Sequence, residues 1–153
     1  MTNNTTDIPE LLKYFKHTTH GYVKFHEVDS FKVVHNLKYL EWTEIARVEY
    51  CQHLGISILP NDNNNTTPQF SIFLVHSEVN YFNPATFFDE YIIYTRVSNI
   101  GKSSVTFEHI ITKKDGTPLC FNKVVEVYVG NDHRPTKIDN SIRNLINNYE
   151  NIN

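Results

Sequence analysis

Apolar and polar residues recur along this chain at two spacings, and each spacing implies an element. A short helix is expected from Ile8 to about Lys16, with Asp7 at the cap and Pro9 in the first turn, where its missing N–H does no harm. From Gly21, Val23 and Phe25 alternate with Lys24 and His26, the period of a half-buried strand that should end near Asp29. Leu37 to Leu54 contains neither Gly nor Pro, so Asn36 as cap and Gly55 just past the end bracket a helix of about five turns. Winding it at about 100° per residue puts Tyr39, Leu40, Thr43, Ala46, Val48, Tyr50, Cys51 and Leu54 on one apolar face. Lys38, Glu41, Glu49, Gln52 and His53 take the other side. Glu44 and Arg47 fall inside the apolar face three residues apart, where they can pair.

Runs rich in Val, Ile, Phe and Tyr follow at about Phe70 to Asn80, Tyr91 to Ser98, Ser103 to Lys113 and Leu119 to Val129. Short Gly-containing connections at Asn99 to Lys102 and Lys114 to Thr117 make their flanking strands antiparallel, since parallel neighbours need a long crossover. Ile138, Ile142, Leu145, Ile146 and Tyr149 predict a C-terminal amphipathic helix, and the polar stretch at 61–68 a mobile loop. The expected architecture is α+β, an antiparallel sheet wrapped around one long helix, with an N-terminal extension over 1–20 and a single domain over 21–153. A sheet of this kind leaves an edge unpaired, which predicts a homodimer joined sheet to sheet, with a homotetramer through the outer face as the next level of assembly.

Composition adds mostly exclusions. The 153 residues are 40% hydrophobic, with ten Phe and nine Tyr, enough bulky apolar material for a packed core without metals or disulfides. A formal charge of -3 supplies no broad positive field for a nucleic acid backbone. Cys51 and Cys120 form no CxxC pair and read as buried thiols of a reducing compartment. No basic start leads into an apolar run, so a cytoplasmic protein without membrane contact is expected. His17 and His20 make an HxxH with no acidic or Cys ligand beside it, so neither a metal nor any other cofactor is expected.

Candidate chemistry concentrates in FHEVDSFKVVHNLKYLEWTEIARVEY, where an acidic residue closes a strand just before the long helix. This segment resembles the hotdog thioesterase family that includes 4-hydroxybenzoyl-CoA thioesterase. Asp29 matches the family's strand-end Asp, Tyr39 the Tyr ten residues on, and Glu44 and Arg47 its Glu-x-x-Arg. NYFNPATFFDE is similar to a second family stretch through Tyr81, Pro84, Ala85, Asp89 and Glu90, and NIGKSSVTF to the hairpin after it. The likeness runs from about Gly21 to Gly130.

The resemblance implies a hotdog fold and an acyl-CoA thioesterase, with Asp29 acting either as nucleophile through a transient anhydride or as general base for water. Thioester attack builds negative charge on the carbonyl oxygen, and the backbone N–H groups of Asn36 and Leu37 at the helix start are the candidate donors to it. Lys32, His35, Tyr39 and Glu44 are the expected pocket residues, and Lys102 a cation for the phosphates of CoA in a cleft at the dimer interface. Lys32 stands where the family has Gly, Lys38 where Asn is common, and Asn36 where an aromatic residue or His is common. The two lysines suit a polar or acidic acyl group, or mark lost catalysis. Three alternatives stay open: a non-catalytic dimer binding acyl-CoA or a protein partner, an acyl-CoA hydratase or dehydratase using His35 or Glu44, and an Asp29 that merely bonds its own turn.

Overall fold

The computed structural model describes residues 7–58 and 67–152, so most of the expected 61–68 loop lies outside the described residues. In chain order the elements are α1 (Ile8–Leu12), β1 (His17–Tyr22), a 3-10 turn (Phe25–Glu27), α2 (Asn36–His53), β2 (Ile72–Tyr81), β3 (Glu90–Ile100), β4 (Ser104–Lys113), β5 (Pro118–Tyr128) and α3 (Asn140–Glu150). The strands form one antiparallel sheet in the order β1-β3-β4-β5-β2. The short β3–β4 and β4–β5 connections make neighbours of the strands they join, as their length requires.

The first strand lies earlier than the alternation at Val23 to His26 suggests. Gly21 accounts for part of this: the Tyr91 ring lies across it, and a Cβ there would come within 2.5 Å of that ring. Pairing with β3 runs from His17 opposite Thr95 to Tyr22 opposite Glu90, after which the chain leaves the sheet and makes the 3-10 turn. Phe25 is consequently exposed. The sheet thus begins inside the expected N-terminal extension, and Ile8 and Phe15 pack with Ile110 on the outer sheet face. His17 and His20, three apart in a strand, point to opposite faces, so the HxxH does not converge.

α2 lies across the inner face of the sheet, chiefly over β3. Tyr39, Trp42, Thr43, Ala46, Tyr50 and Cys51 are its buried residues. Trp42, absent from the expected apolar face, stacks on Tyr91 with ring centroids 4.1 Å apart, while Leu40 and Val48 are only half-buried. Two core clusters lie along the helix, one with Val23, Ile93 and Ile111 near its start, the other with Val97, Phe107 and Val124, closed by Ile138, Ile142 and Ile146. The helix ends as expected: Gly55, at φ 72°, lets Ile56 N–H reach the Cys51 carbonyl at 2.8 Å and Gly55 N–H that of Gln52 at 3.0 Å.

β2 pairs on one side only, with β5, and carries a bulge between Leu74 and His76. On this edge Phe73, Leu74 and Val75 are 49%, 52% and 59% exposed. Among the described residues no helix is long and apolar enough to cross a membrane.

Candidate active site

The stretch from Val28 to Val34 folds back on itself as a small hairpin. Val28 and Val34 bridge antiparallel, Asp29 N–H donates to the Val33 carbonyl at 2.9 Å, and Lys32 N–H to the Asp29 carbonyl at 3.0 Å. Reversing direction in so few residues requires a left-handed backbone at one of them, and Lys32 takes it at φ 63°. The loop therefore needs the conformation that the family's Gly adopts freely. Asp29 is half-buried at the head of this turn, its Oδ1 accepting the Phe31 N–H at 2.8 Å. It makes the local bond of a turn-forming Asp, and it forms no ion pair among the described residues.

The hairpin leads directly into α2. The cap is His35 and not Asn36: the His35 carbonyl accepts from Lys38 N–H at 2.9 Å and its Nδ1 from Leu37 N–H at 3.3 Å. The imidazole thus serves as a helix cap, and of the two expected oxyanion donors Leu37 already has an acceptor. Asn36, the first helical residue, has no intrahelical acceptor for its N–H, and its carbonyl receives the Tyr81 hydroxyl at 3.0 Å.

Beside this helix start opens a cleft of about 290 Å³ lined by Val34, Asn36, Tyr39, Tyr81 and the turn Phe82 to Pro84. The Tyr39 ring stands in its wall, and the Tyr39 hydroxyl accepts the Ala85 N–H at 3.1 Å. Burial raises the pKa of that phenol above its ordinary value. Val34 N–H donates to the Ala85 carbonyl at 2.9 Å, so hairpin, helix and the segment before β3 meet here. Asp29 itself does not line the cleft; it joins it through the Val28–Val34 bridge.

Glu44, expected in the pocket, is 59% exposed and lines a separate shallow hollow with Leu37, Leu40, Glu41 and Ile45. Its partner Arg47 turns inward to the buried Glu126 of β5 at 2.5 Å, keeping only a 3.2 Å contact to Glu44. Lys38 pairs with Glu41 at 2.7 Å, which directs its charge along the helix. Lys102 sits in the β3–β4 turn, at the opposite end of the 11-residue β3 from Glu90 and the Asp29 hairpin. At about 3.3 Å per residue that is ~30 Å away, too far for one chain to bring Lys102 to Asp29.

Two features escape a reading of the sequence. Glu27, only 6% exposed, accepts Lys24 N–H on one carboxylate oxygen at 2.7 Å and the Trp42 indole N–H on the other at 2.9 Å. An acid two residues before Asp29 in a run of apolar and basic residues is the available signal; its partner fifteen residues on is not legible. Beneath α2, burial pushes the Glu126 carboxyl up to about 7 against the opposing pull of Arg47. Burial, with Arg47 acting in the same direction, holds the His109 imidazole down to about 3. His109 Nδ1 meets Thr95 Oγ1 at 3.0 Å. No group of three or more His, Cys, Asp or Glu is arranged to hold a metal ion among the described residues.

The family profile of the thioesterase-like superfamily matches residues 23–146. The chain is 25% identical over 122 residues to acyl-acyl carrier protein thioesterase ATL3, chloroplastic, of Arabidopsis thaliana, an overlap covering 79% of this chain and 62% of that relative. It thus spans less than two-thirds of the relative's length. A Thermus thermophilus thioesterase complexed with coenzyme A and zinc has the same fold at a TM-score of 0.77 and 26% identity, over 92% of this chain and 98% of that one. A Staphylococcus aureus protein in complex with CoA aligns at 0.78 and 16% identity, over 88% and 83%. The five-stranded antiparallel sheet around α2 is the hotdog fold, and with the family match running from Val23 to Ile146 the chain belongs to the thioesterase-like superfamily.

Proposed function

We propose that this chain hydrolyses an acyl-CoA or acyl-carrier thioester to the free acid and a thiol, with Asp29 as the reacting carboxylate. The observation that carries the reading is the short path from Asp29, through the Val28–Val34 bridge, to the Asn36 amide and the cleft beside it. Asp29 attacks the thioester carbonyl carbon directly, or removes a proton from a water that does so. Either route produces a tetrahedral oxyanion facing the Asn36 N–H and the positive end of α2, and its collapse breaks the C–S bond and releases the thiolate. Direct attack leaves an acyl-Asp29 anhydride that water then hydrolyses to the free acid and the Asp29 carboxylate; general-base attack gives the acid at once, and the proton held by Asp29 passes to the thiolate. Leu37 N–H becomes a second donor when the His35 ring swings off it. Tyr39 walls the acyl cleft, and Lys32, which has no ion pair among the described residues, favours a polar or acidic acyl group.

The site is proposed to be completed in a homodimer. The exposed apolar edge of β2 supports this assembly, since an unpaired strand edge is a template for a second copy. Antiparallel pairing of β2 with its own copy reverses the ends of the partner's sheet, which brings the partner subunit's Lys102 to the end where Asp29 lies. CoA phosphates then meet Lys102, which one chain alone does not bring to this end. α1 already covers part of the outer face, which favours a dimer over a tetramer.

A second reading, a non-catalytic dimer that binds acyl-CoA, draws on the His35 cap over the Leu37 amide. Thiol release from a panel of acyl-CoAs and acyl-carrier proteins separates the two. Turnover of at least one thioester is expected; tight binding of acyl-CoA with no release from any would favour the second.

A further inference from the structure

The hairpin bearing Asp29 and the first free amide of α2 are held by one residue from both sides. The Glu27 N–H donates to the Lys24 carbonyl at 3.1 Å, and the Glu27 carbonyl accepts the His35 N–H at 2.9 Å, so main-chain bonds tie the loop's beginning and its end to this residue. Its side chain repeats the arrangement: Oε2 accepts Lys24 N–H at 2.7 Å and Oε1 the Trp42 indole N–H at 2.9 Å. Loop entry, helix cap and second helical turn therefore converge on a single buried group. Glu27 forms no ion pair among the described residues. Its two oxygens face only N–H donors, which suits an acceptor-only carboxylate and no other common side chain: an amide would turn its own NH2 toward one of those donors.

Resting on the thioesterase reading above, we infer that Glu27 is the positioning residue of the site, setting the distance between the Asp29 carboxylate and the Asn36 amide without touching substrate. Small misplacements of reacting groups lower rates far more than they lower binding. Its loss should therefore appear in kcat.

The test is Glu27→Gln, followed by thioester kinetics and by backbone and indole N–H resonances. Trp42 is the single tryptophan, so its indole signal needs no assignment. The expected result is a kcat at least tenfold lower per folded molecule with KM within about threefold. The Trp42 indole and the amides of residues 28–37 should shift while those of β4 and β5 stay. A kcat within twofold of wild type, an unmoved loop, or changes spread through β4 and β5 would each overturn the inference. Trp42→Phe, which removes one donor and keeps the ring, carries the test if Glu27→Gln fails to fold: a smaller fall in kcat at constant KM is expected, and an unchanged kcat contradicts it. If wild type hydrolyses no thioester, the functional reading fails on its own, and the resonances still decide whether Glu27 orders the loop.

Discussion

Lys32 holds a backbone conformation, φ 63°, that places its Cβ against the neighbouring carbonyl and that Gly adopts without cost. Lys32→Gly is expected to stabilise the fold by about 1 kcal/mol, read as a higher denaturation midpoint at unchanged m. Loss of stability in that variant would mean the turn is held by the side chain and not by its backbone. Asp29 stands out in the sequence as a candidate, because an acid ten residues ahead of Tyr39 matches a family pattern. The state of the amides at the start of α2 is not legible there. His35 and Asn36 are both capable caps, and choosing between them shifts the helix start by one residue, which decides that Leu37 N–H is occupied. Glu27 was missed for a related reason: its meaning lies in a contact with Trp42 that only tertiary structure creates.

Among the elements, α2 was legible in its extent and its C-terminal stop but only partly in its direction. Leu37 and Ile45 are 54% and 56% exposed, so apolar residues occur around most of the helix and no single stripe marks the core side. The Glu44–Arg47 pair is the visible end of Arg47–Glu126, whose second member lies on a strand far along the chain. That buried group predicts a pH profile. The folded state keeps the Glu126 proton up to about 7 where the unfolded chain loses it near 4.5, so stability falls as pH rises through that interval. His109 acts oppositely: unfolded, it takes up a proton near 6.5 that the folded state refuses down to about 3, so stability is lost as pH falls through that range. Each slope reaches about 1.4 kcal/mol per pH unit, and the two cancel between about pH 4.5 and 6.5, where the protein is expected to be most stable. Glu126→Gln leaves only the His109 slope and should move the optimum above pH 6.5, as denaturant titrations from pH 4 to 8 can determine. An optimum that stays in place would show that Glu126 does not carry the alkaline loss.

At the scale of the whole molecule, the short turns made β3, β4 and β5 consecutive neighbours in any reading, whereas both edge positions were open. β1 and β2 are joined to the rest through longer connections that do not dictate a partner, and the sheet order β1-β3-β4-β5-β2 is a matter of packing. The exposed β2 edge leads to a prediction at this scale: light scattering should give a mass twice that of the chain, and Val75→Lys, which sets like charges against each other across a symmetric β2 pair, should shift the protein toward monomer. A wild-type monomer would remove the shared cleft from the account. The hotdog architecture supplies the scaffold, and the proposed reaction rests on a single carboxylate, Asp29, set beside the start of its helix. Asp29→Asn tests that dependence most directly, because the Asn carbonyl oxygen can still accept the Phe31 N–H and hold the turn while losing the negative charge. With the best thioester substrate, kcat is expected to fall at least ~100-fold, with KM and oligomeric state unchanged. A kcat within twofold of wild type would contradict the account.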